Sequence, residues 1–163
     1  IDIVATYRMT SAYGDTTLTA SYNYNEVEFD SSQAELDALF NPEDQYDFLN
    51  NMPESRAILS VRHSYDAFQI VARANYYGEN SNSDYNTNTV VLAIQDFDSE
   101  VLFDLEGSYM ATENLRLVVG VRNLFDTYPQ EDEIEPTNGR IYRANSIVDW
   151  QGGYYYTKLE YTF

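Results

Sequence analysis

The chain closes on Gly153-Tyr154-Tyr155-Tyr156-Thr157-Lys158-Leu159-Glu160-Tyr161-Thr162-Phe163, and this stretch decides the reading of the rest. Successive side chains of a strand point to opposite faces. Tyr155, Thr157, Leu159, Tyr161 and Phe163 therefore share one face, and Tyr156, Lys158, Glu160 and Thr162 share the other. One face is apolar and ends on an aromatic ring; the other carries charge. The length matches the strand of about 9–11 residues that crosses a bilayer when tilted.

Working outward, the same two-residue period returns six more times. It sets Ile1, Ile3, Ala5, Tyr7 and Met9 against Asp2, Val4, Thr6 and Arg8. Residues 16–29 follow, with Leu18, Ala20, Tyr22 and Tyr24 on the apolar side. Residues 56–66 place Ala57, Leu59, Val61, His63 and Tyr65 there, and residues 68–78 place Phe68, Ile70, Ala72, Ala74 and Tyr76. Residues 100–110 and 115–125 add Val101, Phe103, Leu105 and Tyr109, then Leu115, Leu117, Val119, Val121 and Phe125. The opposite face collects Asp2, Arg8, Arg62, Arg73, Asp104, Glu106, Arg116, Arg122, Lys158 and Glu160, and none of the residues named on the apolar side is Lys, Arg, Asp or Glu. Strict exclusion is what a lipid face requires, since an Arg or Lys there costs about 2–4 kcal/mol at mid-depth.

A soluble sandwich also hides one face. Two features separate the cases. Connections alternate short (11–15, near 66, 111–114) and long (30–55, 79–99, 126–152), as in barrels with short periplasmic turns and long outer loops. Apolar-face aromatics also gather at strand ends. Tyr7, Tyr65, Phe68, Tyr109, Tyr161 and Phe163 form one belt, and Tyr22, Tyr24, Tyr76, Phe103, Phe125 and Tyr155 the other. Two belts are a membrane feature. The expected fold is all-β: a portion of an antiparallel transmembrane β-barrel, with seven strands.

Composition agrees. The net charge of −18 excludes a nucleic-acid surface, and 16 tyrosines suit positions with one wet and one greasy end. With no cysteine there is neither a disulfide framework nor a thiolate metal site. Ile1 opens directly in a strand pattern, so a mature chain or a fragment is expected.

The insertion 30–55 carries its own signals. Ser32-Gln33-Ala34-Glu35 reads as a capping box, and Asn41-Pro42-Glu43-Asp44 as a second helix start. Two short helices are expected, ending near Asn50–Asn51. Residues 79–89 are rich in Asn, Ser and Asp and read as a loop, with Val90–Ile94 extending the next strand.

Chemistry-bearing residues are few. His63, the one histidine, falls on the lipid face, where no Ser and carboxylate can converge on it, so no catalytic residue is assigned. The acid runs, Glu43-Asp44 with Asp47 and Glu131-Asp132-Glu133 with Glu135, lack Ca²⁺-loop spacing and read as solvated surface; no metal site or cofactor is expected. Arg62, Arg73, Arg116 and Arg122 face Asp104, Glu106, Lys158 and Glu160 on the inner side. They either line the lumen and meet what passes through it, such as an anionic ligand, or form a cross-strand ion-pair ladder that fixes the wall. Arg140, Tyr142, Arg143 and Trp150 join aromatic surface with the few loop cations, a mix that suits ligand capture and equally suits loop packing.

The segment Gly120-Val121-Arg122-Asn123-Leu124-Phe125-Asp126-Thr127-Tyr128-Pro129 resembles the penultimate-strand motif of TonB-dependent outer-membrane receptors, carried by Asn123, Leu124, Phe125, Asp126 and Tyr128. Gly152 to Phe163 resembles that family's last strand, Ala74-Asn75-Tyr76-Tyr77-Gly78 one of its strand ends, and Pro53-Glu54-Ser55-Arg56 its approach to a descending strand. The resemblance implies the last seven strands of a barrel of about 22, with the two helices in an extracellular loop. It implies an N-terminal plug and earlier strands beyond residues 1–163, since seven strands cannot close such a barrel. It further implies energised import of a scarce nutrient such as a ferric siderophore, vitamin B12 or a glycan, across the outer membrane of a Gram-negative bacterium. Implied partners are the plug, TonB through the N-terminal part, lipid and lipopolysaccharide. The barrel assembly machinery would read Leu159, Tyr161 and Phe163 as its C-terminal signal. A passive porin-like channel is the alternative, and an outer-membrane enzyme or adhesin a third.

Overall fold

The computed structural model describes residues 1–86, 91–134 and 139–163. Its main body is one antiparallel sheet in the order β1 (Asp2–Ser11), β2 (Gly14–Tyr24), β3 (Ser55–Tyr65), β4 (Phe68–Tyr77), β7 (Glu100–Thr112), β8 (Leu115–Arg122) and β9 (Tyr154–Tyr161). Between β4 and β7 lies a separate hairpin, β5 (Asn80–Asn86) with β6 (Val91–Phe97). The seven-stranded sheet is open: a barrel wall in part, not closed on itself. No helix among the described residues is long and apolar enough to cross a membrane, which leaves crossing by strands untouched.

Register confirms the sidedness. One row runs Tyr7, Leu18, Val61, Ala72, Leu105, Val121 and Tyr155; the next runs Arg8, Thr17, Arg62, Val71, Glu106, Gly120 and Tyr156. Apolar and charged rows therefore alternate across the whole sheet. Among the described residues nothing covers the apolar face: Ile70, Val119 and Leu159 remain 53%, 63% and 69% exposed. A sandwich would have buried them. Val121 is the exception at 8%, set between Leu105 and Tyr155 in its row.

The same row explains the belts. Tyr7 and Tyr155 are laterally aligned, yet belong to opposite aromatic belts. Six strand spacings of about 4.8 Å make ~29 Å. A barrel tilt of about 40° raises one end of that row by ~18 Å, much of the apolar band's ~25 Å height. In strand coordinates the belts therefore slide from β1 to β9, and on β9 the lower belt falls to Tyr161 and Phe163. Phe68 stacks on Tyr109 at 4.7 Å in the lower belt, and Phe103 meets Phe125 edge-on at 5.3 Å in the upper.

The two expected helices form as α1 (Gln33–Leu39) and α2 (Pro42–Asn50). The Glu35 carboxylate accepts from the Ser32 hydroxyl (2.7 Å) and the Ser32 backbone N–H (3.0 Å). Those two bonds, the hydroxyl first, hold the Glu35 carboxyl below the usual carboxylate range. The side-chain amides of Gln33 and then Gln45 do the same for Asp37. Asn41 caps α2 by accepting from the Asp44 N–H at 2.8 Å, with Pro42 opening the helix.

Three boundaries differ from the sequence reading. Asn80–Asn86 and Val91–Phe97 are not loop and an extension of the next strand: they pair with each other as β5 and β6, while β7 starts separately at Glu100. Val90 and residues 87–89 lie outside the described residues, as does Glu135 of the second acid run. The second strand stops at Tyr24, since the acids Glu26 and Glu28 would continue its apolar face. The eighth stops at Arg122, because Asn123 adopts a left-handed φ of 51°.

Candidate functional site

The charged face carries a ladder. The Tyr156 hydroxyl donates to Glu106 Oε2 at 2.7 Å, and Lys158 Nζ lies 3.6 Å from the same oxygen, 4.8 Å above the Tyr156 ring. Arg116 pairs with Glu160 at 3.2 Å and donates to Gln69 (3.3 Å) and Ser108 (3.0 Å). Val71 and Val118 are buried beneath these longer side chains. Arg62, Arg73 and Arg122 make no hydrogen bond or ion pair among the described residues, although Arg73 sits beside Asp104 in register. Asp104 instead accepts from Asn75 Nδ2 (3.0 Å) and the Asn123 backbone N–H (3.0 Å). The face thus splits into a satisfied ladder and four arginines, Arg8 with these three, left to meet something else.

Residues 123–128 form a knuckle held by the side chains of Asn123 and Asp126. Asn123 and Asp126 both have positive φ, 51° and 56°, a region Asn and Asp tolerate best after Gly. The Asn123 side chain accepts from the Thr127 N–H (3.0 Å) and donates to the Thr127 carbonyl (2.7 Å), closing the turn on itself. Asp126 Oδ1 accepts from the Gly153 N–H at 2.7 Å, which clamps the entry to β9. Gly152, at φ 68°, must lack a Cβ there, because one would fall on the Asp126 carboxylate and the Tyr128 ring.

The long connections pack into one cap around the β5–β6 hairpin. Asp47 of α2 accepts from the Ser83 N–H (2.8 Å) and hydroxyl (2.9 Å) and lies 3.7 Å from Arg143 of the 123–153 connection. Arg143 is 6% exposed and lies 5.6 Å over the Phe97 ring. Tyr46 bonds Ser81 (2.9 Å), and Gln95 donates to the Glu131 carbonyl (2.8 Å) and accepts from the Glu133 N–H (2.8 Å). Asn145 donates to Asn51 (3.0 Å). Asp47→Asn keeps an acceptor for Ser83 and removes the charge facing Arg143. We expect a local loss of about 1 kcal/mol, read as faster trypsin cleavage after Arg143 with the wall unchanged.

The four loop residues singled out from the sequence do not form one exposed cluster. Arg143 is a packing residue. The Trp150 indole N–H donates to the Arg143 carbonyl (3.0 Å) while its ring stays exposed. Tyr142 stacks on Tyr128 at 6.3 Å, and Arg140 is exposed. His63 sits on the apolar face with its Nδ1 2.9 Å from the Thr16 hydroxyl. Among the described residues no group of three or more His, Cys, Asp or Glu is placed to hold a metal. Sequence reasoning put Asp47 and Glu43 on a solvated surface, whereas Asp47 holds Ser83 and Arg143 and Glu43 accepts from the Tyr85 N–H at 3.0 Å; it missed Ser83 and the Gly120–Tyr156 contact altogether. The last had a signal: a glycine in a strand interior marks close approach by another group.

A family model described as TonB dependent receptor-like, beta-barrel matches residues 1–124. The chain resembles the pyoverdine outer membrane receptor FpvA from Pseudomonas aeruginosa PAO1 bound to pyoverdine, with 16% identity and a TM-score of 0.58, over 98% of this chain and 21% of that one. It also resembles a chain in the structure of the FpvAI–pyocin S2 complex, with 18% identity and a TM-score of 0.54, over 77% of this chain and 15% of that one. The chain thus spans about a fifth or less of each, and the likeness is one of fold. No curated protein matches.

Proposed function

Because the chain belongs to the TonB-dependent receptor β-barrel family, whose members are outer-membrane transporters and not enzymes, we propose that it supplies wall and outer mouth to an active importer in a Gram-negative outer membrane. The supporting observation is the register: every charged side chain in the paired rows of the seven-stranded sheet lies on one face, and the exposed apolar rows carry two slanted aromatic belts. In this reading the sheet is the C-terminal part of a barrel of about 22 strands that encloses a plug driven through TonB. The apolar rows face lipid and lipopolysaccharide, and Leu159, Tyr161 and Phe163 guide the assembly machinery. The ligand is a scarce nutrient, a ferric siderophore first, in line with the pyoverdine receptor that shares the fold.

Within this reading three of the arginines outside the ladder, Arg62, Arg73 and Arg122, line the lumen and meet plug or ligand. Arg140, Tyr142 and Trp150 contribute surface for capture at the mouth. This part does no bond chemistry: it binds, positions and lets pass. The test is uptake of a panel of ferric siderophores by cells producing the full-length receptor. Uptake is expected to stop when a protonophore collapses the gradient; uptake that persists overturns the active-transport reading in favour of a passive channel. Arg122→Glu is expected to lower energised uptake several-fold with normal assembly. Unchanged uptake would remove Arg122 from the pathway.

A further inference from the structure

We propose that His63, steered by Thr16 at the short-turn end of the apolar face, donates its outer ring N–H to the phosphodiester of a phospholipid in the periplasmic leaflet. The inference rests on the reading above in which the apolar rows face lipid, and it names the lipid group that this point of the wall holds.

On β3 the ring of His63 stands between Val61 and Tyr65, with Ile70 beside it on β4 and Thr16 on β2. Its Nδ1 lies 2.9 Å from the Thr16 hydroxyl, and neither side chain makes another hydrogen bond among the described residues. That contact sets the tautomer. With the proton on Nδ1, the Thr16 proton and the Nε2 lone pair would both lack a partner. With Thr16 donating to Nδ1, one group alone is left over, the Nε2–H. A protonated ring leaves the same N–H free. Val61 and Ile70 have no acceptor to offer, and the Tyr65 hydroxyl is not bonded to the ring. A donor held in an apolar setting without an acceptor is unfavourable, and a lipid oxygen that reaches it removes the loss.

Depth supplies that oxygen. β3 ends at Tyr65 and β2 begins at Gly14, so His63 and Thr16 each lie two residues inside the rim. Tyr65 pairs with Phe68, and Phe68 with Tyr109, which marks the lower belt at this level. Two residues are ~7 Å of strand, or ~5 Å of depth at a tilt of about 40°. The headgroup zone is itself about 5–7 Å deep on each side of the hydrocarbon. The imidazole is therefore within reach of phosphate oxygens, and an ionised oxygen is the strongest acceptor there. The turns 11–15, 66–67 and 111–114 carry Asp15, Asp66 and Glu113 and no Lys or Arg, so no cation of these turns competes for the phosphate.

The test uses the full-length receptor, delipidated in detergent, and two probes of equal acyl length. One is phosphatidylglycerol; the other is diacylglycerol, which keeps the ester carbonyls and lacks the phosphate. Native mass spectrometry across a lipid titration is expected to show phosphatidylglycerol held at least about tenfold more tightly than diacylglycerol. His63→Phe keeps a belt ring and removes the donor. It is expected to lose one tightly held phosphatidylglycerol while the receptor keeps its heat-resistant folded band. Thr16→Val, which releases the ring, is expected to weaken that lipid several-fold, and Thr16→Ser, which keeps the hydroxyl, to match the wild type. Equal binding of the two probes by the wild type, or an unchanged number of tightly held phospholipids in His63→Phe, overturns the site. Flotation with lipid vesicles, measured alongside, tells the two failures apart. A receptor that floats without a His63-dependent phospholipid loses this site alone; one that does not float loses the membrane reading beneath it.

Discussion

Gly120→Val is expected to destabilise the folded receptor by about 2–4 kcal/mol, although valine is the better strand former by up to ~1 kcal/mol. Gly120 lies on the charged face between Glu106 and Tyr156 in register. The Tyr156 ring occupies the place where a Cβ would be: an added Cβ would fall on its ring carbons and hydroxyl. Valine must push that ring aside. The Tyr156–Glu106 bond, at 2.7 Å and charge-assisted, is then lost, at about 1.5–3 kcal/mol. Overpacking adds about 1–3 kcal/mol. Lys158, 4.8 Å above the same ring, loses its platform as well. The measurement is the denaturant midpoint of the purified receptor, or the temperature at which its folded gel band disappears. Tyr156→Ala should relieve the clash, so the double variant should be less destabilised than the sum of the singles. A stabilised or neutral Gly120→Val would show that the ring does not sit over the glycine.

Asn123→Ala is expected to lower stability by about 2–4 kcal/mol. Two side-chain bonds to Thr127 disappear, about 1 kcal/mol each. Alanine must also hold a φ of 51°, at about 1–2 kcal/mol. Asn123→Gly restores the conformation without the bonds and should recover part of the loss. The same assay reads both variants, and a full recovery in Asn123→Gly would mean the bonds contribute nothing. The effect should spread beyond the turn. Asp126, three residues on, positions Gly153 at the head of β9, so a loosened knuckle should slow the pairing of the last strand.

Much of the wall was legible because a two-residue period is an explicit code for which side is wet. Leu117, Val119, Arg116 and Lys158 announce their faces through chemistry alone, and register only aligns them. The helices were legible because Ser32, Glu35, Asn41 and Pro42 act on their nearest backbone neighbours. The hairpin was not. Ser81, Asn82 and Ser83 are polar on both faces and poor strand formers, and their burial depends on Tyr46 and Asp47, some 35 residues earlier. Arg143 misled for the same reason: a loop arginine looks available until its distant partner Asp47 is placed. The motif at 123–128 was recognisable as a pattern, but its cause, positive φ at Asn123 and Asp126 with a clamp on Gly153, exists only in three dimensions.

The alignment of β9 on β8 leaves few alternatives. A slip by one residue would turn every greasy side chain toward the water-filled side. A slip by two keeps the faces and moves the aromatic anchors by about 6.8 Å along the strand. In one direction Arg116, now opposite Glu160, would confront Lys158, and Val118 would confront Tyr156; in the other, Gly120 would leave Tyr156 for Lys158 and Arg116 would face Thr162. Like charges meet in the first and opposite charges part in the second, so misthreaded walls carry an internal error signal before any ligand or motor protein is involved.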